Sequence, residues 1–140
     1  MIAGVGIDLV DVAAFASQLT DPASVFAERT FTPAERADAD ARPGARPARH
    51  LAARFAAKEA FVKAWSASRR GQPPALATLD LRDIEVVCDR HGRPALALHG
   101  AVAAALHGNG EAFACHVSLS HDGTHATAVV VLDHAPGATP

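Results

Sequence analysis

The chain has 140 residues, 49% of them hydrophobic and 20% charged, with a formal net charge of −2. That length suits one domain with one core. The near-neutral balance excludes the global basic field of a nucleic-acid binder. No run approaches the roughly 18 apolar residues of a membrane-spanning helix, so neither nucleic acid nor membrane is expected as a partner.

The opening MIAGVGIDLVDV turns acidic too early for a secretory signal and has no basic region before it. Cys88 and Cys115 lack metal-type spacing and each lies in an apolar run, so reduced, buried thiols in a cytoplasmic protein are expected. Residues 1–134 are read as one domain and 135–140 as a frayed tail.

Residues 2–10 predict the first strand, built from Ile2, Val5, Ile7, Leu9 and Val10. Gly4 and Gly6 weaken it but would let a backbone or a ligand come close. Asp8 sits between Ile7 and Leu9, either as a cap for the next helix or as a metal ligand delivered from a strand end. Asp11 then opens a helix with Val12, Phe15 and Leu19 on one side. A short helix is predicted at about 22–29. Thr32-Pro33-Ala34-Glu35 has N-cap, N1 and N3 residues in capping-box order. The helix it starts, PAERADAD, reads as polar and exposed.

A Pro/Gly/Arg loop at 41–48 precedes a long helix over 47–68. At about 100° per residue, Leu51, Phe55, Val62 and Trp65 form a bulky stripe. Ala52, Ala53, Ala56, Ala57, Ala60 and Ala64 form a small-residue face opposite, and Glu59 and Lys63 meet at a seam. Such a helix is expected to be buried. Its charges are then either an i,i+4 ion pair worth a few tenths of a kcal/mol, roughly, or parts of a site. Lys58 falls in the bulky stripe and is expected to snorkel to a subunit boundary.

The pattern then changes to strands. Leu81–Asp89 and Arg93–Leu98 flank an Asp89-Arg90-His91-Gly92 turn, with Pro94 marking an edge. Ala101–His107 is a short helix ended by Gly108-Asn109-Gly110. Cys115–Ser120 alternates, Cys115, Val117 and Leu119 on one side and His116, Ser118 and Ser120 on the other. Thr124–Leu132 closes the chain with a Val129-Val130-Val131 run that reads as buried. The expected class is α+β, a mostly antiparallel sheet packed on the long central helix.

Ser120-His121-Asp122 are consecutive, so their side chains diverge and cannot form a hydrolase relay. The eight histidines are dispersed and make no zinc-type helical pair. Two hard oxygen ligands remain, Asp8 and Glu59, with Lys63 one turn from Glu59. That set suits Mg²⁺, with Lys63 and nearby arginines left for phosphate.

GIDLVDV at 6–12, RFAAKEAFVKAW at 54–65, DIEVVCDRHGRPAL at 83–96 and HVSLSH at 116–121 occur together in this order. They resemble the holo-acyl-carrier-protein synthases, the small 4′-phosphopantetheinyl transferases. ARHLAARFAAKEA and FTPAER are similar to the actinobacterial members. The resemblance implies that fold, and transfer of 4′-phosphopantetheine from coenzyme A to a serine of apo acyl carrier protein, with release of adenosine 3′,5′-bisphosphate, in fatty-acid or polyketide biosynthesis. It implies Asp8 and Glu59 as Mg²⁺ ligands and, with Lys63 on the phosphates, as the catalytic set.

It also implies contacts to coenzyme A from Arg46, Arg49, Arg54, Gly92, Arg93, Pro94, His116, Ser120 and His121. A homotrimer with sites shared between subunits is implied as well. The general base is either Glu59 or a water, the water being preferred because Glu59 is committed to metal. The first helix lacks the family's basic residues for the carrier, which leaves Arg29, Arg36 and the 42–49 arginines as substitutes. The competing expectations are an inactive coenzyme A or carrier-binding module of the same fold, and a purely structural oligomeric domain.

Overall fold

The computed structural model describes residues 1–42, 46–108 and 113–135. Part of the 41–48 loop, most of the GNGEA stretch at 108–112 and the tail from 136 onward lie outside the described residues. In chain order come β1 (Ile2–Asp11), α1 (Val12–Thr20), α2 (Phe26–Thr30), α3 (Pro33–Ala41) and α4 (Pro47–Ser68). After a 3₁₀ turn at Leu81–Asp83 follow β2 (Ile84–Cys88), β3 (Pro94–Leu98), α5 (Gly100–His107), β4 (Phe113–Asp122) and β5 (His125–His134). The α+β class is as the sequence predicts.

One antiparallel sheet has the order β1-β5-β4, and β2 and β3 form a separate antiparallel hairpin. Helix α4 packs across the three-stranded sheet. Its alanine face makes this approach close: Ala52, Ala56, Ala57, Ala60 and Ala64 are fully buried. The strand side is equally small. A methyl group on Gly4 would drive into the Ala64 carbonyl, and one on Gly6 into the Ala60 carbonyl. The glycines of β1 therefore admit a neighbouring backbone, that of α4, and they set the height at which Asp8 meets the helix.

Bulky residues on the other side of α4 anchor the small helices. Phe15, Phe26, Phe31 and Phe55 meet edge-on or tilted, with ring centroids 5.6–6.5 Å apart, the geometry aromatic quadrupoles favour. Asp11 caps α1 by accepting from the Ala14 N–H at 2.8 Å, so Asp8 is not needed as a cap. The capping box of α3 forms in full.

Several expectations are corrected. Helix α2 starts later than about 22, at Phe26. Strand β2 begins at Ile84 because Asp80 caps a 3₁₀ turn first. Helix α3 is not exposed throughout, since Glu35 and Ala39 are buried. Of the valine run in β5, Val130 alone is buried, and Val129 faces out with Val5, Ile7 and Leu9 of β1.

Lys58 does not snorkel; it is 0% exposed. Its Nζ donates to Glu35 Oε2 at 2.8 Å, to the Leu81 carbonyl at 2.9 Å and to the Ile84 carbonyl at 2.6 Å. Glu35 also accepts from the Thr32 and Val86 N–H groups. One satisfied ion pair thus ties α3, α4 and the start of β2 together. The physical reason for the correction is that three acceptors converge on the ammonium from segments far away in sequence, which offsets its desolvation.

Candidate active site

Strand β1 alternates, so Gly4, Gly6, Asp8 and Val10 face α4 while Val5, Ile7 and Leu9 face away. The Thr127 hydroxyl donates to the Asp8 carbonyl at 2.7 Å, which fixes the strand at that residue. Lys63 Nζ crosses from α4 to donate to Asp8 Oδ1 at 2.7 Å and to the Ile7 carbonyl at 3.0 Å. The Glu59–Lys63 pair allowed by helical spacing does not form; Lys63 pairs with Asp8 instead.

Glu59 has no hydrogen-bond or ion-pair partner among the described residues. It lines a groove with Asp8, Asp11, Phe15, Gln18 and Phe55. Burial, and after it the Asp8 charge, push the Glu59 carboxyl above its ordinary range, against the opposing pull of Lys63. Two carboxylates held together in this way, one without a partner, fit a small hard cation. No cluster of three or more metal-binding side chains forms among the described residues. The donor set is thus two oxygens, which suits Mg²⁺, an ion that keeps waters and takes ligand phosphate oxygens.

A second groove, of about 320 Å³, opens at the N-terminal half of α4. It is lined by Arg42, His50, Ala53, Arg54, Cys88, Gly92, Pro94, Leu119, Ser120 and His121. Arg54 is 3% exposed. Its guanidinium pairs with Asp38 and donates to the His50 carbonyl, and its Nε has no partner among the described residues. Burial, and then the charges of Arg42 and Arg54, hold His50 below the usual imidazole range. The groove is therefore cationic and has charge to spare for an anion.

Among the residues expected to meet coenzyme A, the groove collects Arg54, Gly92, Pro94, Ser120 and His121. Arg49 stands at its edge and donates to the His121 carbonyl at 3.4 Å. Arg46, Arg93 and His116 do not line it. Arg46 is exposed at the start of α4, and Arg93 is tied to Asp89 within the β2–β3 turn. His116 lies on the outward face of β4. Arg42 and His50 are in the groove although the sequence assigns neither to coenzyme A and offers Arg42 only among the residues for the carrier. His50 had a visible signal, since it precedes Arg54 by one helical turn. Arg42 had one too, since it follows Asp38 by four residues, the spacing at which the two pair.

The two grooves share no lining residue. Helix α4 supplies Phe55 and Glu59 to one, and His50, Ala53 and Arg54 to the other.

Residues 4–130 match the family model described as the 4'-phosphopantetheinyl transferase superfamily. The chain is 53% identical to the holo-[acyl-carrier-protein] synthase of Mycobacterium tuberculosis over 132 residues, 94% of this chain and 97% of that one. Its structure is similar to a Chronobacterium ammoniagenes ACPS-CoA complex, with a TM-score of 0.86 and 44% identity over 94% and 97% of the two chains. It is also similar to the acyl carrier protein synthase of Mycobacterium tuberculosis, with a TM-score of 0.77 and 47% identity over 96% and 100%.

Proposed function

The chain belongs to the 4'-phosphopantetheinyl transferase superfamily, and on that premise we propose that it is a holo-[acyl-carrier-protein] synthase. It moves the 4′-phosphopantetheine of coenzyme A to a serine hydroxyl of an apo acyl carrier protein and releases adenosine 3′,5′-bisphosphate. The observation that carries this reading is the meeting of Asp8 from β1 with Glu59 and Lys63 from α4.

In the reaction a new P–O bond forms from the carrier serine to the β-phosphorus as the bond to the nucleotide phosphate breaks. Lys63, more than half exposed and held beside Asp8, is placed to neutralise charge on the departing phosphate. Asp8 and Glu59 are assigned to Mg²⁺, whose charge on the pyrophosphate oxygens is the chemistry it supplies there. The cationic groove is assigned to the nucleotide end. Arg54 and Arg42 line it where a phosphate could sit, and Gly92 and Pro94 line the same groove.

We assign the working unit as a homotrimer with shared sites. Val5, Ile7 and Leu9 are 54%, 61% and 65% exposed on one strand, beside Val129. A contiguous apolar face of this kind needs a cover, and an identical chain supplies one by symmetry. Packing copies there also offers a way to bring the cationic groove of one chain against the acidic groove of the next. Residues 1–134 act as one transferase domain. No helix among the described residues is long and apolar enough to cross a membrane, and two free thiols fit work in the reducing cytoplasm.

The test is to incubate the protein with coenzyme A, Mg²⁺ and a panel of apo carriers and to weigh each carrier. A phosphopantetheine mass gain that disappears on chelation is expected. No gain with any cognate carrier would refute the transferase reading.

A further inference from the structure

A third cleft, of about 240 Å³, lies between the C-terminal end of α4 and the segment that follows it. Val62 and Trp65 form its helix wall, and Ala75, Leu76 and Leu79 face them from the chain beyond. Val62, Leu76 and Leu79 pack on the core yet are only half-buried, so large apolar side chains border an open space. Trp65, the one tryptophan of the chain, is 7% exposed and lines it too.

The rim of this cleft is cationic. Arg69 lines it and also lines a shallower pocket alongside, which shares Val62, Ser66 and Gln72 and adds Lys63 and Arg70. Lys63 is balanced by Asp8. Arg69 donates only to the Pro73 carbonyl, and neither Arg69 nor Arg70 has an acidic partner among the described residues. In steps of four and three residues, Phe55, Glu59, Val62, Ser66 and Arg69 share one side of α4. The cleft therefore continues the line of the Asp8–Glu59 groove along the same helix. An apolar interior with unbalanced cations at its mouth selects an amphiphile. A small polar anion would leave Trp65, Leu76 and Leu79 uncovered, and a neutral hydrocarbon would leave the arginines unanswered.

We propose that this cleft binds a linear alkyl chain with an anionic head, the chain between Trp65 and Leu79 and the head on Arg69 and Arg70, and that the occupied cleft opposes transfer. Because the rim is shared with the Lys63 pocket, the bound head sets a negative charge where the donor's phosphates arrive. The inhibition rests on the function proposed above; the binding does not.

The intact protein is titrated with decanoate, decyl phosphate, decanol and decyltrimethylammonium, each below its micelle concentration, and Trp65 fluorescence is followed. Decanoate and decyl phosphate are expected to shift the emission saturably to shorter wavelength, and the tighter of the two identifies the head. Decanol and decyltrimethylammonium should bind roughly tenfold more weakly or not at all. Octanoate should bind about tenfold more weakly than decanoate, for two methylenes fewer. Replacing both arginines, Arg69→Gln with Arg70→Gln, should weaken decanoate by about tenfold or more and leave decanol unchanged. Ala75→Phe fills the cleft and should abolish the response with the circular dichroism of wild type. Should it fail to fold, the arginine pair still decides. Transfer should fall as decanoate saturates the cleft, and transfer by Ala75→Phe should not respond to it.

No saturable response to either anion, equal binding of decanol, undiminished binding by the folded variants, or full transfer at saturating decanoate would each overturn the proposal. If no carrier is ever modified, the transferase reading fails alone, and the fluorescence titrations still decide the site.

Discussion

Lys63 Nζ stands 2.7 Å from Asp8 Oδ1, while Glu59, one turn earlier on the same helix, is left without a partner among the described residues. The lysine reaches over its helical neighbour to a strand residue 55 positions away in sequence. This leaves Glu59 half-buried, beside another carboxylate and raised by both causes. A cation held between the two carboxylates, as proposed, would ease that conflict.

The first prediction follows from the sign of that shift. A carboxyl raised in the folded state costs no stability while it is protonated in both states. The cost grows as pH rises through the unfolded value of about 4.3 and is complete above the folded value. Glu59→Gln should therefore raise the melting temperature of chelator-treated protein at pH 7–8. The gain should vanish near pH 4 and be modest, on the order of tenths of a kcal/mol after solvent screening. The same variant should lose metal-dependent transfer. Thermal scans across pH check it; an equal gain at pH 4 would show that the effect is not the charge.

The Lys58–Glu35 pair gives a prediction of the opposite kind. Both side chains are fully buried and hydrogen-bonded to backbone. Removing one partner strands the other charge, so Lys58→Met or Glu35→Leu should each destabilise by about 3–5 kcal/mol. The double variant should recover much of that loss, which denaturant titration of all four proteins would measure. Simple additivity would mean that the two groups do not act as a pair.

These two lysines also show how far the sequence could be read. The limits of α4, its alanine face and the capping box of α3 were legible, because each follows from local periodicity or local hydrogen bonding. So was the class of chemistry, from Asp8, Glu59 and Lys63 together with the four ordered motifs. The destination of a charged group was not. Helical spacing puts Lys58 at a boundary and allows Lys63 a pair with Glu59. In both cases the true partner, Glu35 or Asp8, comes from a remote segment that a helical projection does not contain. The outward valine Val129 fails for a related reason. An apolar run on a central strand looks the same whether its second face is covered by its own chain or waits for another.

Gly6 offers a test of how the site is positioned. A methyl group there would collide with the Ala60 carbonyl and come within 2.6 Å of the Ala64 nitrogen, both of them helix backbone that cannot swing aside. Gly6→Ala should push β1 off α4 and cost about 1–3 kcal/mol. Because Asp8 is two residues on, Mg²⁺ affinity should fall more than the stability loss alone explains. Calorimetric titration of the folded variant with Mg²⁺ checks this; unchanged affinity would mean that strand height does not control the site.

His50 supplies a pH dependence for the other groove. Burial and then Arg42 and Arg54 hold its imidazole below the ordinary value, so it is neutral in the free protein at pH 7. A bound phosphate opposes those cations and raises His50 again. Binding then takes up a proton, so the affinity for adenosine 3′,5′-bisphosphate should increase as pH falls below about 6.5. His50→Gln should flatten that slope. Titrations at several pH values, with the imidazole followed by NMR, would settle it; an unshifted resonance on binding would remove His50 from the ligand's surroundings.

The last prediction concerns the uncovered strand. Val5, Ile7 and Leu9 point away from α4 in period-two order, so one sheet face is apolar in the isolated chain. Burying those three side chains in an interface is worth several kcal/mol per chain, at about 1.5–3 kcal/mol for each fully covered residue. A guanidinium placed among them would meet its symmetry copies and lose its water, so Ile7→Arg should yield monomers by light scattering. Its far-ultraviolet circular dichroism should stay close to wild type, because the side chain touches nothing in its own chain's core. Transfer should fall with assembly if, as proposed, each complete site is shared between two chains. A monomeric Ile7→Arg protein with full turnover would mean that one chain holds the whole site, and a trimeric one would move the interface to another face.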